Sequence, residues 1–343
     1  MNDHPSTPAA PAVPEKALAD IRRTLHAALG SDTIAGLHAR RPALDLLALA
    51  AAPALFLGNV QLLATLEFGA LWLLAFVLQG FLLQLMGLVS HDLLVHRQVL
   101  GNRGSWLMSI PLTLPRLSLA TGYERAHLAH HRWIGSARDT EAYKQHLNTR
   151  RRRLLFATLL GVKLAQAGKL KSNDGLRAYH DVSGQGDVYE RRARIERRLL
   201  RGFLLAMLAL ALLLPEQVLY GWLLPTLVMG PVVNTLRIVI EHADADPQNP
   251  WNWSTWYRTG PLSRALFFWD SGDCHVVHHV FPRLPWYHMG RAVDLMRPVF
   301  LAHGVIERTS YPALLKGWFI DVLPHRWPWP LPRPRTARVI RPS

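Results

Sequence analysis

Eight histidines of this chain fall into three groups whose spacing suits metal chemistry: His91-Asp-Leu-Leu-Val-His96, His127-Leu-Ala-His130-His131 and His275-Val-Val-His278-His279. On an α-helix residues i, i+3 and i+4 share a face, so each HxxHH group can aim three imidazoles at one place. Two such triplets bring six neutral nitrogens to a common centre. His91 and His96 are five apart, hence ~140° apart on an ideal helix, and share a site only if they straddle it or the helix end unwinds.

A lone histidine beside an apolar face is ordinarily a surface or hydrogen-bonded core residue. Three clusters together are different, because without a metal they would leave many buried donors and acceptors to satisfy. A structural zinc site takes four ligands and usually recruits Cys, whereas Cys274 is the single cysteine here. Eight or nine imidazoles suit two metal ions, and such sites with open positions are compatible with iron that activates oxygen. Bis-histidine haem would need its ligands facing one another within a membrane, but these histidines stand at the ends of apolar segments and in loops. One cysteine also excludes disulfides and iron–sulfur clusters held by this chain alone, so electrons must come from a partner. The carboxylates beside the boxes, Asp92, Glu124, Asp139, Glu241 and Asp273, are candidates for hydrogen bonds that fix imidazole tautomers, with ordinary surface acids as the alternative.

The elements that carry these groups are apolar. There is no Lys or Arg between Pro42 and His96, nor from Gly202 to Leu236. The first tract divides at Glu67 into spans of about 43–65 and 68–90, each long enough for the ~30 Å hydrocarbon core of a bilayer. The second divides at Pro215-Glu216-Gln217 into spans of 199–214 and 218–240. The first of these is short, so Arg201 must snorkel or the bilayer thin. The expected fold is an all-α integral membrane protein, with two transmembrane hairpins and a cytoplasmic helical cap holding the histidine boxes.

Residues 1–42 read as a cytoplasmic arm ending in a surface helix, without a cleaved signal peptide. Residues 43–300 form the membrane domain and 301–343 a Pro/Arg-rich tail. Trp106–Leu119, broken by Pro111 and Pro115, and Leu154–Ala167 suit segments lying along the interface. Lys169–Asp187, with Asn173-Asp174-Gly175 and Gly184-Gln185-Gly186, reads as a solvent loop. Glu190–Arg201 reads as a basic, solvated helical face touching anionic headgroups.

A net charge of +15 and a pI near 10.7 invite a nucleic-acid partner, but the charge is distributed as membrane topology demands. From Arg97 to Arg201 there are 17 Arg and 4 Lys, while both hairpin turns carry none. This positive-inside pattern places both termini and the 91–198 region in the cytoplasm and argues against nucleic-acid binding.

The boxes HxxxxH, HxxHH and HxxHH around two hairpins resemble the membrane fatty acid desaturase and hydroxylase superfamily over roughly residues 45–300. His131-Arg132 followed by Asp139-Thr140-Glu141 is similar to its second box, and His279-Val-Phe-Pro282-Arg-Leu-Pro285 to its third. The resemblance implies two iron ions (Fe2+) bound at the cytoplasmic membrane face by His91, His96, His127, His130, His131, His275, His278 and His279. Arg237-Ile-Val-Ile-Glu241-His242 looks like the family's Arg…Glu-His element, which makes His242 the ninth ligand. Animal acyl-CoA desaturases place an Asn four residues before this histidine to hold a water on one iron; here Ile238 stands there, with Asn234 nearby.

The resemblance implies an oxidoreductase that uses O2 and external electrons to oxidise an unactivated C–H bond of a fatty acyl chain, with desaturation as the leading outcome. Hydroxylation and oxidative decarboxylation to a terminal alkene share the motif. A membrane metal transporter is disfavoured, because transporters place polar residues near mid-membrane between broken helices. The expected partners are the lipid substrate, the surrounding membrane lipids and a separate electron donor. The donor is a ferredoxin, steered by the Arg-rich face, or cytochrome b5 with its reductase. The expected location is a bacterial inner membrane, crossed several times, with the active site cytoplasmic.

Overall fold

The computed structural model describes residues 14–136, 138–141, 149–158, 173–242, 249–261 and 275–320. Two short helices, α1 (Pro14–Leu29) and α2 (Ser31–Leu37), precede the apolar pair α3 (Pro42–Thr65) and α4 (Ala70–Val89). Without a break, α4 widens into a π-helical turn, Ser90–His96. Next come α5 (Gly101–Thr113), a 3₁₀ turn (Leu114–Arg116), α6 (Ala120–Trp133), α7 (Arg150–Phe156), α8 (Asn173–Ser183) and α9 (Gly186–Leu213). A second π turn, Gln217–Leu223, leads into α10 (Leu224–His242). The remainder comprises α11 (His275–Val280), α12 (Trp286–Ala302) and α13 (Tyr311–Phe319). Strands β1 (Trp256–Tyr257) and β2 (Glu307–Arg308) pair in parallel, so the otherwise helical chain is not purely α.

Among the described residues three helical stretches are long and apolar enough to cross a membrane: Ser31–Thr65, Ala70–His96 and Gln217–His242. The expected span at 199–214 is not among them. The apolar end of α9, Leu199–Leu213, reaches only ~22 Å at 1.5 Å per residue, short of the ~30 Å core, and the first half of α9 is strongly charged.

The helices meet through small residues and a buried amide chain. A Cβ on Gly80 would stand 2.7 Å from the Met229 side chain, and one on Gly221 2.7 Å from Val60, so glycine is what lets these backbones approach. Asn59 Nδ2 donates to Ala75 O (2.9 Å) and Gln79 Oε1 (2.7 Å), and Gln79 Nε2 donates to Gly221 O (3.1 Å), tying α3, α4 and the second π turn together. In hydrocarbon such groups find no water, so the bonds they make with one another lock the register.

Outside this bundle, Leu18, Ile21 and Leu25 of α1 are buried with Val277, Phe281 and Met289, so α1 packs on the elements of the third box. Residues 173–183, expected as solvent loop, are helical: Tyr179 and His180 lie against Tyr189 of α9, and the Asn-Asp-Gly sequence stands at a helix start, which it suits as well as a turn. Glu196, expected on a solvated face, is buried. Residues 301–320, expected as tail, include α13, whose Trp318 packs with Phe156 and Val239. Residues 321–343 and most of Leu154–Ala167 lie outside the described residues.

Candidate metal centre

Each box is held by contacts that its own sequence does not announce. At the first, Arg97 forms a bidentate pair with Asp45 (2.8 and 2.6 Å), pinning the end of the π turn to α3. Asp92 accepts from the same guanidinium at 3.4 Å. The turn also resolves the five-residue spacing: with i→i+5 bonding the helix end is unwound relative to an α-helix, as the spacing required, and His91 and His96 come toward one face. At the second, the Glu196 carboxylate accepts from Thr121 N (3.0 and 3.1 Å), from the Thr121 hydroxyl and from Trp106 Nε1 (2.6 Å). An anion on the free N–H groups of a helix start stabilises α6, which carries His127, His130 and His131. At the third, Val276 N donates to Thr255 O (3.2 Å) and Thr255 N to Glu241 O (3.1 Å), while Arg22 Nε donates to Val280 O (2.6 Å). Short α11 is therefore anchored to α10 at one end and α1 at the other.

These anchors gather all nine predicted ligands into two adjoining groups. In the first, one nitrogen each from His91, His96, His127, His131 and His278 lie within 4.8 Å of one another. His127 Nε2 is 2.8 Å from His91 Nε2, 2.8 Å from His96 Nε2 and 2.9 Å from His131 Nε2, and His131 Nε2 is 3.0 Å from His278 Nε2. A neutral ring nitrogen carries one N–H or one lone pair, so His127 Nε2 can satisfy only one of its three contacts as a hydrogen bond. Ligands at right angles around an ion with ~2.1 Å bonds stand ~3.0 Å apart, which is the spacing found. The rings thus fit a metal ion and do not fit a hydrogen-bonded network.

The second group joins His130, His242 and His279, with Glu241, His242 and His275 forming an overlapping set. His275 Nε2 lies 3.0 Å from His242 Nε2 and 3.2 Å from His279 Nε2. His131 and His279 stack with centroids 4.3 Å apart, which joins the two groups.

Among the carboxylates, Asp139 is fully buried and accepts from His130 Nδ1 at 2.7 Å, turning Nε2 inward. Glu241 accepts from Arg237 Nε at 2.6 Å, and the same oxygen lies 3.7 Å from His275 Nδ1. Asp92 and Glu124 are placed otherwise: Asp92 faces Arg97, and Glu124 faces Arg192 at 3.8 Å, because each projects from its helix away from the rings. Asp273 and Cys274 lie outside the described residues. His26 and His38 pack on Phe281, and His288 bonds Ala39 O at 3.1 Å, so these stand apart from the centre. Ile238 packs against the Phe156, Val239 and Trp318 cluster.

Two site residues were not singled out by spacing. Glu141 Oε2 is 4.0 Å from both His130 Nε2 and His242 Nε2; its signal was its place two residues after Asp139. Tyr123 stacks on His127 at 5.4 Å and 9°, and its signal was the i, i+4 spacing to that ring.

Burial is the chief cause that holds His127, His131 and His278 well below the usual histidine range, with neighbouring imidazoles adding to it. They are neutral at neutral pH, as metal ligands must be.

Buried imidazoles gathered where two long apolar helices end, at His96 and at His242, define a membrane-associated protein that can bind metal. The model of the family "Fatty acid desaturase" matches residues 70–311, and the chain belongs to that family. It is accordingly an oxidoreductase of fatty acids whose histidine clusters can bind metal. No curated protein matches it.

Proposed function

We propose that the chain is an O2-dependent fatty acyl desaturase with two iron ions. His91, His96, His127, His131 and His278 hold one, and His130, His242, His275 and His279 hold the other. The observation that carries this reading is the contact of His127 Nε2 with three other ring nitrogens, which only a shared cation reconciles. When bound, the irons would supply an oxygen-derived oxidant able to take hydrogen from an unactivated methylene, with electrons from a separate ferredoxin or cytochrome b5.

The chain's own part is placement. Asp139 fixes the His130 tautomer, Glu241 stands ready to do the same for His275, and Tyr123 braces His127. Around them the buried helix ends exclude water from the reacting carbon. Removal of two hydrogens from adjacent methylenes leaves a double bond, and both oxygen atoms leave as water. Iron analysis should give about two ions per chain; active protein with stoichiometric zinc and no iron would sink the proposal. A perdeuterated acid supplied with ¹⁸O₂ should yield a product lacking two deuteriums and free of ¹⁸O. Retained ¹⁸O would make the enzyme a hydroxylase, and a terminal alkene with CO₂ a decarboxylase.

The proposed topology has four crossings, with both termini and the centre cytoplasmic. Exposed Leu204, Leu205, Leu208, Leu212 and Leu213 on α9 support a fourth, shorter passage. Phe68, Trp72, Phe76 and Tyr220 form an aromatic cluster at the hairpin end away from the histidines, as at an outer membrane interface. Cysteines placed by Glu67→Cys and Glu216→Cys should react with an impermeant reagent outside intact cells. Labelling at position 150 instead would reverse the orientation.

A further inference from the structure

Arg116 and Tyr123 are two polar side chains near the centre that ligand binding leaves unused. The Arg116 guanidinium lies against the α4 backbone at Gly87, where an added Cβ would meet its Nη1 at 2.3 Å. On its other side, Pro115 O accepts from Trp222 Nε1 (2.9 Å) and Thr226 (3.4 Å), so the 3₁₀ turn is wedged between α4 and the second hairpin. Among the described residues no acceptor is within hydrogen-bond distance of this guanidinium and no carboxylate pairs with it. The Tyr123 hydroxyl is likewise buried without a partner. The half-buried Arg116 guanidinium keeps five N–H donors unused, and beside them one buried hydroxyl is unused, so an acceptor that binds them adds stability.

Their position relates them to the rings. Gly87 of α4 stands four residues before His91 of the π turn, and Tyr123 one turn before His127 on α6. Burial lowers Arg116 to about 10, still charged at neutral pH, and Arg116 and Tyr123 feel each other's charge. Arg116 thus packs at Gly87, and the Tyr123 ring lies 6.4 Å from that of His91 and 5.4 Å from that of His127, so both side chains border the first group of rings.

We propose that Arg116, assisted by Tyr123, binds the carboxylate of a free fatty acid, so that the substrate is the acid itself and the carbons next to its carboxylate face the metal centre. This rests on the reading of the site as a lipid oxidase. A thioester- or ester-linked acyl group has no carboxylate at its own chain end to offer this guanidinium, and a chain oxidised at its middle would leave the guanidinium unpaired.

The test is equilibrium binding of radiolabelled dodecanoate, with methyl dodecanoate as neutral control, to the full-length iron-loaded protein, with iron measured in every variant. Arg116→Gln should weaken dodecanoate binding roughly 10- to 100-fold, the range for a lost charge-assisted hydrogen bond, and leave methyl dodecanoate unchanged. Gly87→Ala should act in the same direction by evicting the guanidinium, Tyr123→Phe should cost about threefold, and Arg116→Lys should retain most affinity. Equal binding of acid and ester by the wild type, or wild-type dodecanoate affinity in Arg116→Gln, would overturn the proposal. So would displacement of dodecanoate by phosphatidylglycerol vesicles but not phosphatidylcholine vesicles, which would identify a lipid of net negative charge as the occupant. Arg116-dependent acid binding in a protein that oxidises no lipid supports this site and defeats the oxidase reading; lipid oxidation indifferent to acid or ester does the reverse.

Discussion

The group of His91, His96, His127, His131 and His278 contains five rings and no carboxylate among the described residues, whereas His130, His242, His275 and His279 are bordered by Asp139, Glu141 and Glu241. A cation in the first group meets only neutral donors and keeps its charge. One in the second meets negative charge at or near its ligands. Two ions held as proposed, by nearly the same kind of ring, would thereby be given different electrostatic surroundings, and the difference would be made by a handful of acids placed on α10 and after α6 rather than by the ligands themselves.

The largest effect should come from emptying one group. His127→Ala removes the nitrogen that touches three others, and activity should fall more than ~1,000-fold as metal content drops to about one ion per chain. His279→Ala should do the same from the other side; retention of two ions in either variant, by elemental analysis, would break the two-group division. Next in size, Asp139→Asn leaves the ligands intact but disturbs the His130 tautomer, and metal affinity should fall about 10- to 100-fold. A chelator-competition titration measures it.

Acidification should act through the first group. His127, His131 and His278 have folded-state values below the ordinary ~6.5, so the unfolded chain binds more protons than the folded one once pH falls toward that value. Their contribution to stability is full above pH ~6.5 and is lost as pH falls below it. Thermal unfolding of metal-free protein should move down by several degrees between pH 7.5 and 5.5, and loaded protein should release metal over the same window. A flat profile would mean that these rings take up protons as readily in the folded chain as in the unfolded one. The smallest effect is expected at Glu124, which faces Arg192: Glu124→Gln should keep both ions and change activity less than about threefold, being a partly buried ion pair away from the rings.

What could be read beforehand followed periodicity. The two HxxHH triplets were legible because their spacing is the α-helical repeat, and His242 because Arg237…Glu241-His242 resembles a family element at the end of an apolar segment. The meeting of His91 with His96 was legible only as a condition, an unwound helix end, since no side chain in Ser90–His96 declares the π bonding that meets it. Glu196 gave no signal either: its role is to cap a helix 75 residues away. Residues 173–183 misled because Asn-Asp-Gly serves a helix start as well as a turn. Asp92 and Glu124 misled because adjacency to a histidine in sequence does not set the direction in which a helical side chain points.

The amide of Gln79 gives the order of synthesis a physical meaning. Its strong backbone partner in the second hairpin, Gly221 O, lies 142 residues further along the chain. At roughly 5–20 residues per second, that acceptor emerges on the order of ten seconds after the donor. Until then the first hairpin holds a partly unmet amide in an apolar setting, a feature that a quality-control protease or insertion chaperone can sense and that arrival of the second hairpin removes. Gln79→Leu should therefore release the first hairpin from waiting for the second, lengthening the life of truncated chains that end before residue 221 while weakening the finished bundle.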